Sequence, residues 1–431
     1  MGAIKIYRSR LFTGAGIYIL ANVVLALISF LLLPFLTRVL TPEEFGIVAL
    51  FQLTVAVFSV FTGLSVHGAV SVNYFKGYRE DFPQFVGACL FILLATSTAM
   101  VIVISYFLPV MTGKIGLDGN FILLAIFASL GQFLINIRLV IWQVSDEPIK
   151  YGVFQVLFGL ISASMAMYLI LSIGMKEDGR IMSMTIATLM FSVAALVSLF
   201  RGGWINLKWN TGYIKEALKW GFPLIPHVLG TVCMLMADRF IISNQLGVKY
   251  TGIYFVAIQL ALPITMLGDS YNRAFRPWLY EKLSKGEELV GVVISYISMF
   301  VFILIGLVYS VIIYLIYPIV VGDQYADGQQ LSIILIFANT LQILYYTVAN
   351  PIFYSGKTAI LSLLTITNSI IYMAVGWFLI LDFGLVGLAL FFMSTSLAFF
   401  VITWIVSNKV SSQPWFDFAN LRRTAIGMLN F

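Results

Sequence analysis

The sequence predicts an all-α integral membrane protein with twelve transmembrane helices, and three observations predict it. Only 10% of the 431 residues are Asp, Glu, Lys or Arg, while 61% are hydrophobic. An ordinary soluble domain is about 25% charged, so this chain has too little charge to cover a soluble surface. The charged residues also leave twelve uninterrupted gaps of at least 18 residues, and a helix needs roughly 20 apolar residues to cross a bilayer core. Within the gaps the apolar residues run on without the two-residue alternation of a barrel strand, and only helices or closed barrels satisfy their backbone in lipid. The same composition excludes a disordered chain. The net charge of +6 comes from 25 basic and 19 acidic residues, too sparse for a surface that tracks nucleic-acid phosphates.

The first gap, 11–37, follows Lys5, Arg8 and Arg10 and ends at Arg38. It is far longer than the apolar region of a secretory signal, about 7–15 residues, and is expected to remain as a helix. The second gap, 45–75, follows Glu43 and Glu44, and the third, 82–113, lies between Asp81 and Lys114. The fourth, 119–137, is short and continues past Arg138; the fifth and sixth are 151–175 and 181–200. Residues 201–219 then alternate tryptophans and lysines with apolar residues, the pattern of a segment lying at the headgroups. The seventh gap, 220–237, holds Pro223 and Pro226 and continues past Asp238, and the eighth, 250–268, holds Pro263. The ninth and tenth are 289–322 and 328–356, and Asp382 alone separates the last two, 358–381 and 383–408. The expected organisation is a first six-helix bundle over 1–200, a cytoplasmic interfacial linker over 201–219, a second six-helix bundle over 220–408 and a tail over 409–431.

Basic residues in short loops set orientation. With a cytoplasmic N-terminus, 18 of the Lys and Arg residues fall inside and 6 outside, with Arg138 within a span. Both termini are therefore expected in the cytoplasm. The outer connections are tiny, and the longest inner ones, 201–219 and 269–288, are too short to fold as domains. An enzyme that polymerises lipid-linked sugars commonly needs a large outer loop, and none is present. Cys89 and Cys233 fall within spans and read as small hydrophobes. No metal-ligand set, nucleophile triad or phosphate loop appears in the sequence.

There is a faint internal repeat. A shift of 206 residues carries Leu40 onto Leu246, Gly46 onto Gly252 and Ile47 onto Ile253. Both segments lie at the outer turn after the first span of a half, which describes a parallel repeat. Chance similarity between apolar helix starts is the alternative.

The string from Pro34 to Gly46, PFLTRVLTPEEFG, resembles the first-helix signature of bacterial polysaccharide exporters of the Wzx flippase type. So do Trp220-Gly-Phe-Pro-Leu-Ile-Pro226, Ala237-Asp-Arg-Phe240 and Gly252-Ile-Tyr254. That family shares a superfamily with multidrug and toxic compound extrusion transporters and lipid II flippases. The resemblance implies two six-helix bundles around a central cavity open alternately to each side, in the bacterial inner membrane. It implies a cargo, an oligosaccharide repeat unit on undecaprenyl diphosphate, moved from the cytoplasmic to the periplasmic leaflet. A proton or sodium gradient would supply the energy, with no cofactor, and a polysaccharide polymerase and chain-length regulator would be partners. The alternative within the superfamily is a multidrug or cation antiporter, whose cavity would favour acids.

A diphosphate cargo needs a wet cationic path, and ionisable residues within spans are costly and usually face a cavity. Arginine suits the task because its fork binds phosphate oxygens bidentately and keeps its charge when buried. The substrate-binding candidates are Arg38, Arg138, Arg239, Arg273 and Arg276. Each has a plainer reading: Arg38 snorkels at the interface, Arg239 braces a bundle with Asp238, and Arg273 and Arg276 enforce topology. Asn339, Gln342, Tyr346 and Asn350 form one face of the tenth span, suited to sugar hydroxyls or to bonds between helices. Gln132, Asn136 and Gln143 form a similar stripe in the fourth. Asp238 and Asp269 are the ion-coupling candidates, with the lone His67 and His227 as lesser ones. Pro34, Pro223, Pro226 and Pro263 mark bends, static or hinged.

Overall fold

The computed structural model describes residues 2–76, 81–355, 357–411 and 413–429; the side chains of 1–15, 19, 75–76, 113–114, 227, 234–235, 358–359, 418, 425 and 427–429 also lie outside the description. His227 and the basic residues Lys5, Arg8, Arg10, Lys76, Arg79 and Lys114 therefore fall outside it. Among the described residues every regular element is helical, as lipid demands of a backbone that must satisfy itself. The helices are α1 (Gly2–Val39), α2 (Pro42–Phe61), α3 (His67–Lys76), α4 (Phe82–Ile115), α5 (Gly119–Val144), α6 (Pro148–Leu171) and α7 (Glu177–Arg201). After them come α8 (Thr211–Gly221), α9 (Ile225–Gln245), α10 (Val248–Ser284), α11 (Glu288–Val320), α12 (Gly328–Tyr354), α13 (Thr358–Ser411) and α14 (Phe418–Leu429).

Among the described residues ten helices are long and apolar enough to cross a membrane, and the segments Thr211–Cys233 and Met236–Gln245, bent by 59° to each other, make an eleventh if they are one span. Between α8 and α9 lies the short 3-10 turn Phe222–Leu224, with Pro223 and Pro226 beside it, where backbone donors are missing. The last of the ten, Ile360–Ser411, is itself divided: Gly384 sits at φ 61°, ψ −156° inside α13. An unbroken α13 would be about 80 Å long at about 1.5 Å per residue, against about 30 Å of hydrocarbon. Gly384 breaks it two residues after Asp382, which separated the last two gaps.

One break was not expected. The gap 45–75 reads as a single span, yet α2 stops at Phe61 and a 3-10 turn, Thr62–Ser65, precedes α3. Gly63, Leu64 and Ser65 all have positive φ, a conformation that costs ordinary residues energy and survives only when neighbours fix it. Here the Gly63 N–H donates to Thr96 Oγ1 at 2.9 Å, and Thr62 Oγ1 hydrogen-bonds Ser129 Oγ at 2.8 Å. A Cβ on Gly63 would run into the Phe133 ring.

The chain forms two compact units, Met1–Gly252 and Ile253–Phe431. In the first, α5 is central. Its buried face packs against α2, α4 and α7 through clusters such as Val48, Phe51, Ile122 and Ile126. Small residues let helices approach: Gly131 of α5 meets Thr188 of α7, and Gly159 of α6 meets Leu25 of α1. The interfacial segment belongs to this unit. Asn210 caps α8 by accepting from the Gly212 and Tyr213 N–H groups, the usual work of an N-cap asparagine. Trp204, Tyr213 and Leu218 pack on the core around Phe82 and Phe85. In the second unit α12 packs against α11 and α13, and Tyr309 of α11 donates to the Leu260 carbonyl of α10 at 2.8 Å.

The repeat has a structural counterpart inside the first unit. A Cβ on Gly46 would collide with the Val248 carbonyl oxygen, and one on Gly252 would collide with the Pro42 carbonyl oxygen. The shift of 206 that carries Gly46 onto Gly252 also carries Pro42 onto Val248. The contact is thus reciprocal, as a two-fold relation between the segments requires.

Candidate functional site

A cavity of about 580 Å³ opens within the first unit, in the range of about 300–1,000 Å³ common for ligand sites. Five of its helices present one face each. Residues three, four or seven apart share a helix face, and the lining follows that rule: Gln52, Val55 and Ser59 from α2; Gln132, Ile135 and Leu139 from α5; Gln155 and Ser162 from α6; Arg180, Met184 and Thr188 from α7; Leu25 and Ser29 from α1. The walls are mostly apolar, with Phe51, Phe154 and Phe158 among them.

Arg180 is the one charged side chain among the described residues that line this cavity. It stands one turn into α7, and its Nη1 is enclosed without an acceptor among the described residues. At the same end of α7, Lys176 donates to Glu44 Oε1 at 2.6 Å. That hydrogen bond holds the Lys176 ammonium above its usual pKa. Three carboxamides join the hydroxyl residues Ser29, Ser59, Ser162 and Thr188 in the polar lining. One N–H of each is tied to the wall: Gln52 to Met184 Sδ (3.6 Å), Gln132 to Asn136 Oδ1 (3.1 Å) and Gln155 to the Tyr151 hydroxyl (3.3 Å). Those ties leave each carbonyl oxygen as an acceptor and the second N–H as a donor.

None of the ten residues singled out as substrate-binding or ion-coupling lines this cavity. Arg138 comes nearest. It lies on α5 beside Leu139, but adjacent positions point about 100° apart, and Arg138 turns into the core at 5% exposure. Its guanidinium lies 4.2 Å from the Trp142 ring centroid. Trp142 meets Phe154 edge-on at 5.2 Å, and Phe154 lines the cavity. Arg138 therefore reaches the cavity through two rings. Arg38 is exposed in the last turn of α1. Arg239 is buried in α9, and its backbone N–H donates to Asp238 Oδ1 at 2.7 Å.

The remaining six lie in the second unit. Asn339 donates to the Ala261 carbonyl oxygen at 3.4 Å, Tyr346 to Asp269 Oδ1 at 2.8 Å and Asn350 to Asn272 Oδ1 at 2.9 Å. These partners climb α10 and α12 together, so the polar stripe of α12 forms a ladder between two parallel helices. Gln342 shares that stripe and is half-buried, and Arg273 and Arg276 are exposed on α10. His67 is half-buried, 5.6 Å edge-on from Phe133. No group of metal-ligating side chains occurs among the described residues.

Arg180 was hidden in the sequence because it stands just before the charge-free gap 181–200 and so counted with the outer connection. Such a charge stands either in the loop or in the first turn of the helix. The spacing of Arg180, Met184 and Thr188, four and four, was the available signal.

The model of a family described as polysaccharide biosynthesis protein matches residues 35–330. A Haemophilus influenzae protein named Lsg locus putative protein 1 is 25% identical over 376 residues, covering 85% of this chain and 90% of that protein. A second Haemophilus influenzae protein, an uncharacterized membrane protein, is 24% identical over 374 residues, covering 83% and 88%. Among solved structures, an inward-facing multidrug resistance MATE family transporter of the MOP superfamily superposes with a TM-score of 0.71 at 14% identity, over 91% of this chain and 96% of that one. A Vibrio cholerae MATE transporter gives 0.62 at 13% identity, over 95% and 98%. At these identities the likeness is one of fold.

Proposed function

The chain belongs to the polysaccharide biosynthesis protein family, and from that membership we propose that it exports a lipid-linked oligosaccharide repeat unit across the bacterial inner membrane by alternating access. The observation that carries the reading is Arg180, the one charged side chain among the described residues that line the cavity of the first unit. A charged side chain within a membrane helix is costly and usually faces a cavity or a partner. A phosphate or diphosphate is the natural partner of a guanidinium fork. The prenyl tail of such a cargo needs no protein site, since it is soluble in lipid.

The multidrug or cation antiporter reading would favour acids in the cavity, and the charge that lines this one is basic. Ion coupling through Asp238 or Asp269, a proton or sodium gradient, both termini in the cytoplasm, and contact with a polymerase and chain-length regulator all belong to the proposal. The six-and-six division of the spans at 201–219 belongs to it as well.

The test is surface polysaccharide in a deletion strain complemented with variants. Arg180→Ala and Arg180→Gln should abolish display with the protein still present in the membrane. Arg180→Lys should retain part of it, because a point charge replaces a fork. Full display with both neutral variants would reject the reading.

A further inference from the structure

Resting on that reading, we infer that the first unit's cavity binds its cargo in one direction, with the phosphate at Arg180 and an oligosaccharide laid along the glutamines toward Tyr151 and Tyr18. Contacts between helices give the depth of each polar group. Gly179 of α7 packs against Ile170 of α6, so Arg180 stands level with the last turn of α6. Gln52 bonds Met184, one turn along α7 from Arg180, or about 6 Å at the helical rise. Gly131 meets Thr188, which sets the neighbouring Gln132 about 12 Å from the level of Arg180. Gln155, near the start of α6, lies about 20 Å from that level. One turn further, Tyr151 accepts the Gln155 N–H at 3.3 Å and meets the Tyr18 ring edge-on at 4.8 Å.

This row is cationic at one end. Arg180 is the one charged side chain among the described lining residues. At the far end Asp146, in the turn after α5, sets a negative charge near Tyr18. A phosphate bound there would meet that carboxylate and leave the guanidinium uncompensated, and unpaired charges are costly to bury. At Arg180 it meets a guanidinium fork, and the second N–H of Gln52 is a further donor for a diphosphate. The stretch beyond holds carboxamides and phenols, which donate and accept as sugar hydroxyls do. It is longer than one sugar ring can fill, so its occupant is an oligosaccharide. With both termini in the cytoplasm, Arg180 lies at the periplasmic end, and the diphosphate leads while the glycan trails.

The experiment uses the full chain in nanodiscs, with single cysteines Met184→Cys or Gln155→Cys in a Cys89→Ala, Cys233→Ala background. The rate of maleimide labelling is read with saturating inorganic pyrophosphate, maltotriose or maltotriose 1-phosphate. Pyrophosphate should slow labelling at Met184→Cys, maltotriose should slow it at Gln155→Cys, and maltotriose 1-phosphate should slow it at both. Calorimetry on the chain with its native cysteines supplies a second measurement. Arg180→Gln should weaken pyrophosphate about tenfold or more, as loss of a hydrogen bond to a charged group does. Gln155→Leu should weaken maltotriose 1-phosphate about fivefold more than it weakens pyrophosphate, the scale of one neutral hydrogen bond.

Protection by pyrophosphate at Gln155→Cys, equal protection of both cysteines by pyrophosphate, or no binding by any probe overturns the inference. The exporter reading fails separately. If Arg180→Gln stops polysaccharide display while the protection pattern is reversed or uniform, only the direction of binding falls. If display persists in Arg180→Gln, the exporter reading itself falls.

Discussion

Arg180 and Arg138 are both arginines in apolar helices of the first unit, and their surroundings give them different work. Both have enclosed guanidinium nitrogens without an acceptor among the described residues, but Arg180 lines the cavity and Arg138 does not. Arg138 spends its charge on the face of Trp142, an interaction worth about 0.5–2 kcal/mol depending on desolvation. The ring contact from Trp142 to Phe154 makes Arg138 a support for the cavity wall. Arg138→Ala should therefore lower stability by about 1–2 kcal/mol and weaken export without abolishing it. Thermal unfolding in detergent, read beside polysaccharide display, checks this. An unchanged melting temperature would remove the supporting role. In one dimension the two arginines look alike. Each edges or interrupts an apolar run, and Arg138 even looked the deeper of the two.

At the scale of elements, polar residues inside helices are used in two ways. Along α12 they bond to α10, through Asn339, Tyr346 and Asn350. Along α2, α5 and α6 a glutamine from each lines the cavity. The periodicity that identifies a polar face is the same in both, and only the neighbour decides what the face is for. The buried Asn272–Asn350 bond allows a direct measurement, because both residues are under 10% exposed. Asn350→Leu should cost about 0.6 kcal/mol and at most about 1.7, the range for hydrogen bonds between membrane helices. The double variant with Asn272→Leu should recover part of that loss, since no buried amide is then left unpaired. A double-mutant cycle of unfolding free energies with zero coupling would contradict the bond. The break between α2 and α3 belongs to this scale too. Gly63→Ala should destabilise the fold by about 1–2 kcal/mol from the left-handed backbone alone, with the collision against Phe133 added. Membrane yield and melting temperature report it. Nothing in the run 45–75 announces that turn, because an apolar turn held by Thr62, Thr96 and Ser129 carries no charge, and charge spacing was the ruler.

At the scale of the whole molecule stands the internal repeat, two segments far apart in the chain that meet within the first unit. Three identities at a shift of 206 were weak support by themselves. The reciprocal approach of Gly46 to Val248 and of Gly252 to Pro42 adds a geometric condition that chance similarity would not meet. Each glycine faces a backbone carbonyl, which cannot swing aside as a side chain can. Gly46→Ala and Gly252→Ala should accordingly impair folding to a similar degree, with loss of monodisperse protein as the readout. A tolerated substitution at one position beside a destructive one at the other would break the reciprocity.

The sequence alone determined that this is a helical membrane protein, roughly how many segments it has and which family it resembles. Hydrocarbon taxes charge residue by residue, so every crossing is recorded as a gap in the order of charges along one dimension. Tertiary structure alone decided where helices break and which polar residues face a cavity. Both depend on neighbours distant in the chain: Thr96 and Ser129 hold the turn at Gly63, and four separate helices bring Arg180 and three glutamines around one space. A cavity is a property of packed surfaces, and no single helix carries its outline.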